Sequence, residues 1–160
     1  MAFILSSQRK DNALAAFQRY RDYLRGVQTH FPVSAFALAT ADWYFGVNDP
    51  GAPHDSHLHS AVISETPQVG FDTIPIISIC IRLHSPHGGV IEFTYPQVFR
   101  YNLVAGGSSS FHSDWRYDEF RLSDNGHVVH EIEWWHDSET ARWLIESSDV
   151  QHRYFPSENV

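Results

Sequence analysis

From Leu58 onward the chain is a succession of short runs rich in β-branched and aromatic residues, each bounded by turn formers. The runs are "LHSAVISE", "TIPIISICIRLH", "GVIEFTYP", "VFRYNLV", "DWRYDEFRL", "HVVHEIEWW" and "ARWLIESS", the last continuing into "VQHRYF". Side chains of this kind suit a pleated, half-buried surface. Short strands at regular spacing argue for an antiparallel meander, a sandwich or an open barrel. Pro75 and Pro96 lack a ladder donor and belong at strand starts, ends or edges.

One segment has the other period. Leu14, Phe17, Tyr20, Leu24 and Val27 recur at helical spacing behind Ser6 and Ser7, with Gly26 as a stop. This predicts a helix over about residues 7–25, with Arg19, Arg21 and Arg25 near its solvent face. The stretch "VSAFALATADWYFG" carries two signals: its alanines favour a helix, and "WYF" favours a strand. A strand over Asp42–Gly46 is expected, so the β region should span about 42–155. "VNDPGAPHDS" and Ala105–Ser110 read as loops, and residues 156–160 as a frayed tail. With 160 residues, 42% of them apolar and 14% aromatic, the chain can build one core. It contains no internal repeat and no linker. The expectation is a single α+β domain over residues 1–160, predominantly β, with an N-terminal helix packed on a curved antiparallel sheet.

The formal net charge is −8, unevenly spread. Residues 1–26 have five basic and two acidic side chains, whereas residues 111–160 have four basic and eleven acidic. Acidic surfaces repel phosphate backbones, which argues against nucleic acid and for a basic protein partner. The lone cysteine, Cys80, lies in an apolar run and can form no disulfide within the chain, so a reducing compartment is expected. Four apolar residues after Met1 are too few for a signal peptide, and no run is long enough to span a bilayer. The expected location is the cytoplasm.

The stretch "PHDSHLHS" holds His54, Asp55, His57 and His59. A His-x-His pair on a strand points both rings to one side, which is how many β-proteins ligate a metal. The order Gly51, His57, His59, Glu65 and Gly70 is similar to the first motif of the cupins. That resemblance implies a β-barrel enzyme using a divalent transition metal held by His54, His57 and His59. It covers about twenty residues, and the Pro-x-Gly and later histidine of the second cupin motif have no counterpart downstream. The local composition instead predicts a loop running into a strand, with no metal and no cofactor.

The last third can be argued face by face. "SDNG" marks a hairpin with Asp124–Gly126 as its loop, which sets Leu122 opposite Val128 and Phe120 opposite His130. A bulge near Asp118–Glu119 would bring Trp115 and Tyr117 onto the same face. A loop over Asp137–Thr140 would set Trp134 against Trp143 and Glu131 against Glu146. One face is then apolar: Trp115, Tyr117, Phe120, Leu122, Val128, Ile132, Trp134, Trp143 and Ile145. The other carries Arg116, Glu119, Glu131, Glu133, Trp135, Arg142 and Glu146, residue types found at protein–protein hot spots. The cation that Glu131 and Glu146 call for is expected from a partner, from Arg121 or from an N-terminal arginine. No nucleophile elbow or phosphate loop occurs. The expected function is therefore a non-catalytic protein-binding domain that neutralises a basic partner, as immunity proteins do. The alternatives are the metal-dependent enzyme and a β-barrel enclosing a small apolar ligand.

Overall fold

Helix α1, Ala13–Val27, starts where the Asn12 side chain accepts a hydrogen bond from the Ala15 amide at 2.9 Å. It belongs to a computed structural model that describes residues 2–67, 70, 73–105, 111–137 and 139–157. The expected start at residue 7 is displaced because Ser7–Arg9 form only a short 3-10 turn. Gly26 does not stop the helix, which ends one residue later. Ala16, Tyr20 and Leu24 form its buried stripe.

The ambiguous stretch is resolved as a helix. α2 spans Val33–Thr40, and residues 42–46 follow as turns, so the β region opens at His57 rather than near residue 42. Asp149, far along the chain, accepts hydrogen bonds from the amides of Ser34 and Ala35 at the start of α2. An eight-residue helix is marginal alone. Here a distant carboxylate fills the cap, and Ala35, Leu38 and Ala39 are buried in the main apolar cluster.

Eight strands follow: β1 His57–Glu65, β2 Ile77–His84, β3 Val90–Tyr95, β4 Val98–Leu103, β5 Asp114–Leu122, β6 Val128–His136, β7 Glu139–Ser147 and β8 Gln151–Phe155. They form one antiparallel sheet in the order β4-β7-β6-β5-β1-β2-β3-β8. Chain connectivity requires strong curvature. β3 runs into β4 through Pro96 and Gln97, and β7 into β8 through residues 148–150, although these strands lie at opposite ends of the order. The Ser148 amide donates to the Gln97 carbonyl at 2.9 Å where the two links cross. Pro75 and Pro96 lie outside the strands they flank. Of the expected frayed tail, Pro156 and Ser157 have no regular structure, and residues 158–160 lie outside the described residues, as do 106–110 of the expected glycine–serine loop.

The concave side is filled by side chains. Trp115, Trp134, Trp143, Phe93, Phe120 and Tyr95 are fully buried there with the aliphatic rows of β2, β3, β6 and β7. At the centre lies a polar cluster. Asp118 Oδ2 accepts from the Tyr44 hydroxyl at 2.6 Å and lies 2.8 Å from His130 Nε2, and Asp118 Oδ1 accepts from the Trp115 indole at 3.1 Å. Tyr95 Oη lies 2.7 Å from His130 Nδ1. Asp118 and His130 are 2% and 0% exposed, so every polar atom must find its partner inside. Burial first, and the Asp118 charge second, push the Tyr44 and Tyr95 phenols well above their ordinary range, so both remain donors.

Two predictions follow from this core. Asp118→Ala should cost about 3–5 kcal/mol, because the buried His130 Nε2, the Tyr44 hydroxyl and the Trp115 indole all lose their common partner. Tyr95→Phe, which strands only His130 Nδ1, should cost about 1–3 kcal/mol; denaturant unfolding checks both. The second prediction concerns pH. Burial holds His112 and His152 below the ordinary 6.5 of histidine. The folded state then binds fewer protons than the unfolded one below pH 6.5, so stability is full above that value and falls as pH drops through it. Tm should decline from about pH 7.5 to about pH 5.5, and His152→Gln should flatten that decline in a thermal melt series.

Candidate functional site

The bulge in β5 decides which side chains reach the outer face of the C-terminal strands. It sits at Arg116, between the pairs Trp115↔Trp134 and Tyr117↔Glu133, and not at Asp118–Glu119. Tyr117 therefore joins the outer face beside Glu133, and Asp118 turns into the core opposite Ile132. The first hairpin keeps its expected register, with Leu122↔Val128 and Phe120↔His130. The second is tighter than expected. His136 pairs with Glu139, Asp137 takes φ 49°, Trp134 meets Ala141, and Glu131 meets Leu144 rather than Glu146. That slip of two residues keeps every side chain on its expected face, because the pleat repeats every two.

The N-terminal segment lies over this face. The Phe3 and Leu5 amides both donate to Glu119 Oε2, at 2.9 and 3.1 Å, and Glu119 is fully buried. Burial raises the Glu119 carboxyl, while the Leu5 and Phe3 amides and Arg121 pull it down. Arg9 reaches Glu133 at 2.7 Å, donates to the Ile4 carbonyl at 3.0 Å and stacks 4.1 Å from the centre of the Tyr117 ring. Arg142 bridges Glu131 and Glu133 at 3.0 and 3.2 Å, and Arg121 contacts Glu119 and Glu131. Glu146 pairs with Arg100 at 3.2 Å and His127 at 3.3 Å. Burial raises the Glu146 carboxyl, and hydrogen bonds from Ser123 and His127 with the Arg100 charge outweigh that, leaving it low.

Of the seven residues singled out for this face, four join one ionic network, Glu119, Glu131, Glu133 and Arg142, while Arg116 pairs with Asp55 and lies against the Tyr117 and Trp135 rings. Glu146 stands apart, toward Arg100. Of the cations foreseen for Glu131 and Glu146, Arg121 reaches Glu131; the N-terminal Arg9 goes to Glu133 instead, and Glu146 takes Arg100 and His127, which were not foreseen. The sequence signal for Arg9 was the basic N-terminal stretch; nothing local gave its target. Solvent meets Trp135, 37% exposed, with the Arg116 guanidinium 5.2 Å from its ring centre. Both border an open groove of about 670 Å³ between the N-terminal segment and the β6–β7 end, shared with Lys10, Asp137 and Thr140. Asp114 is the cross-strand partner of Trp135, Asp137 is highly exposed at the adjoining hairpin, and Asp55 lies 3.8 Å from Arg116.

The three cluster histidines take separate neighbours. Residues 53–56 form a turn, β1 begins at His57, and a register shift between Leu58 and Ser60 places His59 at a bulge. His54 lies 3.1 Å from Asp55 and edge-on to Tyr117; His57 lies 3.5 Å from Asp114; His59 contacts Ser60 at 3.1 Å and the His84 ring. Among the described residues, no group of three or more His, Cys, Asp or Glu side chains is arranged to hold a metal ion. A cleft of about 480 Å³ between α1 and residues 39–45 has an apolar floor of Phe17, Tyr20, Leu24 and Phe45. Among the described residues, no helix is long and apolar enough to cross a membrane. Comparison with protein-family models, with curated proteins and with solved structures finds no match to this chain.

The network makes Arg9 a structural cation. Arg9→Ala should cost about 1–3 kcal/mol, because Glu133 is buried and keeps only Arg142. Glu131→Gln, which is less enclosed and retains an acceptor, should cost about 1 kcal/mol or less; chemical denaturation of the two variants gives the order.

Proposed function

We propose that this chain is a non-catalytic, acidic protein-binding domain of the cytoplasm, with the β5–β6–β7 outer face as its contact surface and a basic protein as its partner. The observation that carries the reading is the half-exposed Trp135 with Arg116 against its ring, beside the ionic network of Arg9, Arg121 and Arg142 with Glu119, Glu131 and Glu133. An aromatic anchor held by arginine has little rotamer freedom to lose on binding, which is the character of a hot spot. Glu119, Glu131 and Glu133 act behind it. Their arginine partners fix the strand face and the N-terminal segment, so the surface is formed before contact. Asp114 across the strand from the anchor and the exposed Asp137 at the hairpin suit lysine or arginine side chains of a partner, and the chain's −8 charge would steer such a partner inward. Arg142 lines the same groove. Neutralisation of a basic toxin, as immunity proteins perform it, is one concrete form of this activity.

The buried Asp118–His130 pair has the residue types of a catalytic dyad, but its surroundings are those of a core. The adjoining cavity, beside Tyr44 and His54, has a volume of about 20 Å³, enough for roughly one water molecule.

The test begins with crosslinking of tag-free protein in its native cell extract, followed by titration of the captured protein. Trp135→Ala should lower affinity by about 2 kcal/mol without lowering Tm. Binding should also weaken as salt rises, since the Debye length shrinks to about 8 Å at physiological ionic strength. A partner held equally by Trp135→Ala, or indifferent to salt, would refute the assignment. Stoichiometric metal in the tag-free protein, lost on substitution of His54, His57 and His59, would replace it with the metal-dependent reading.

A further inference from the structure

Besides the terminal strands β4 and β8, the sheet has an unpaired edge inside its strand order. β1 pairs with β2 along its length but meets β5 only at His57↔Asp114. On the β5 side of this gap, α1 covers the exposed backbone. The Tyr20 hydroxyl donates to the Phe120 carbonyl and accepts from its amide, and the Tyr23 hydroxyl accepts from the Leu122 amide. Among the described residues, nothing equivalent caps β1 beyond His57. Phe111 and His112, which precede β5, turn away onto His136 and onto Trp134 and Trp143.

The open edge is apolar on both faces. Ala61, Val62 and Ile63 are exposed, Val62 by 52% and Ile63 by 45%. Proteins blunt such edges with charge or proline, and Ser60–Ser64 has neither. A free strand edge with aliphatic side chains is a template for another strand.

We propose that this edge is the interface of a homodimer, in which β1 of two copies pair antiparallel about a two-fold axis through Val62. The segment is self-complementary in that register. Val62 meets its own counterpart, Ala61 meets Ile63, and Ser60 meets Ser64, so small residues face large ones and hydroxyls face hydroxyls. The one acid on this edge, Glu65, comes level with the polar ring of His59 of the other copy, so the register sets no acid against an acid. The same register keeps the core-facing residues of both strands on one side of the joined sheet. The surface is separate from the Trp135 face, so the proposal does not depend on the partner-binding reading.

Light scattering and sedimentation of the full chain through the micromolar range test it. The wild type should be dimeric. Val62→Lys and Val62→Glu each place two like charges on the axis and should be monomeric, with an unchanged circular-dichroism spectrum. An equal mixture of the two should recover the dimer, because lysine then faces glutamate. A monomeric wild type, or a dimer that survives Val62→Lys, overturns the proposal. If the charged variants fail to fold, Val62→Cys in a Cys80→Ser background decides. Mild oxidation should link it into covalent dimers far faster than Leu14→Cys in the same background, at an exposed helix position. Equal rates overturn the proposal.

Discussion

The Asp118 carboxylate, fully enclosed, is the constraint on which the rest of the molecule depends. Its partners come from three parts of the chain: Tyr44 from the turns after α2, Trp115 from β5 itself and His130 from β6. Tyr95 on β3 extends the chain of bonds across the sheet. An ionised carboxylate away from water is tolerable only when donors surround it. The sheet must therefore curve until β3 and β6 come within one imidazole of each other. The helical layer must also enter far enough for Tyr44 to reach. Packing of Phe93, Trp115 and Phe120 around the His130 ring fixes that geometry further.

The outer face obeys a similar rule with different means. Three carboxylates, Glu119, Glu131 and Glu133, stand in adjacent positions on β5 and β6, where like charges would repel. Arg9, Arg121 and Arg142 interleave with them, and two backbone amides of the N-terminal segment supply the remaining donors. The N-terminal segment is thus held by polar bonds at its carboxylate end and by burial of Ile4 and Leu5. On this face Trp135, with the Arg116 guanidinium against its ring, reaches solvent.

The two sides of the gap between β5 and β1 show how position decides fate. β5 faces α1, and tyrosine hydroxyls can complete its ladder. β1 diverges from β5 after a single pair and carries its edge away from the helices. Its backbone groups and its aliphatic side chains are then open together, a combination that soluble folds otherwise avoid.

The strands were legible because their signals are local. β-branched and aromatic runs between turn formers marked seven of the eight strands, β8 being read as a continuation of β7, and "SDNG" fixed one hairpin register through Gly126 at φ 78°. The inward and outward sets of β6 and β7 were legible for the same reason, since a slip of two residues leaves parity intact. Tertiary structure decided the remainder. Residues 33–40 became a helix because Asp149 caps it from the far end of the chain and its alanines fit the core. The β5 bulge fell at Arg116, where it sends Asp118 inward to donors the local sequence does not contain. Arg9 found Glu133 across 124 positions, and the three cluster histidines went to separate neighbours because strand pairing, and not spacing, set their directions. A pattern of period two or 3.6 is written in consecutive residues, whereas the partner of a buried charge is set by which distant strand the fold brings beside it.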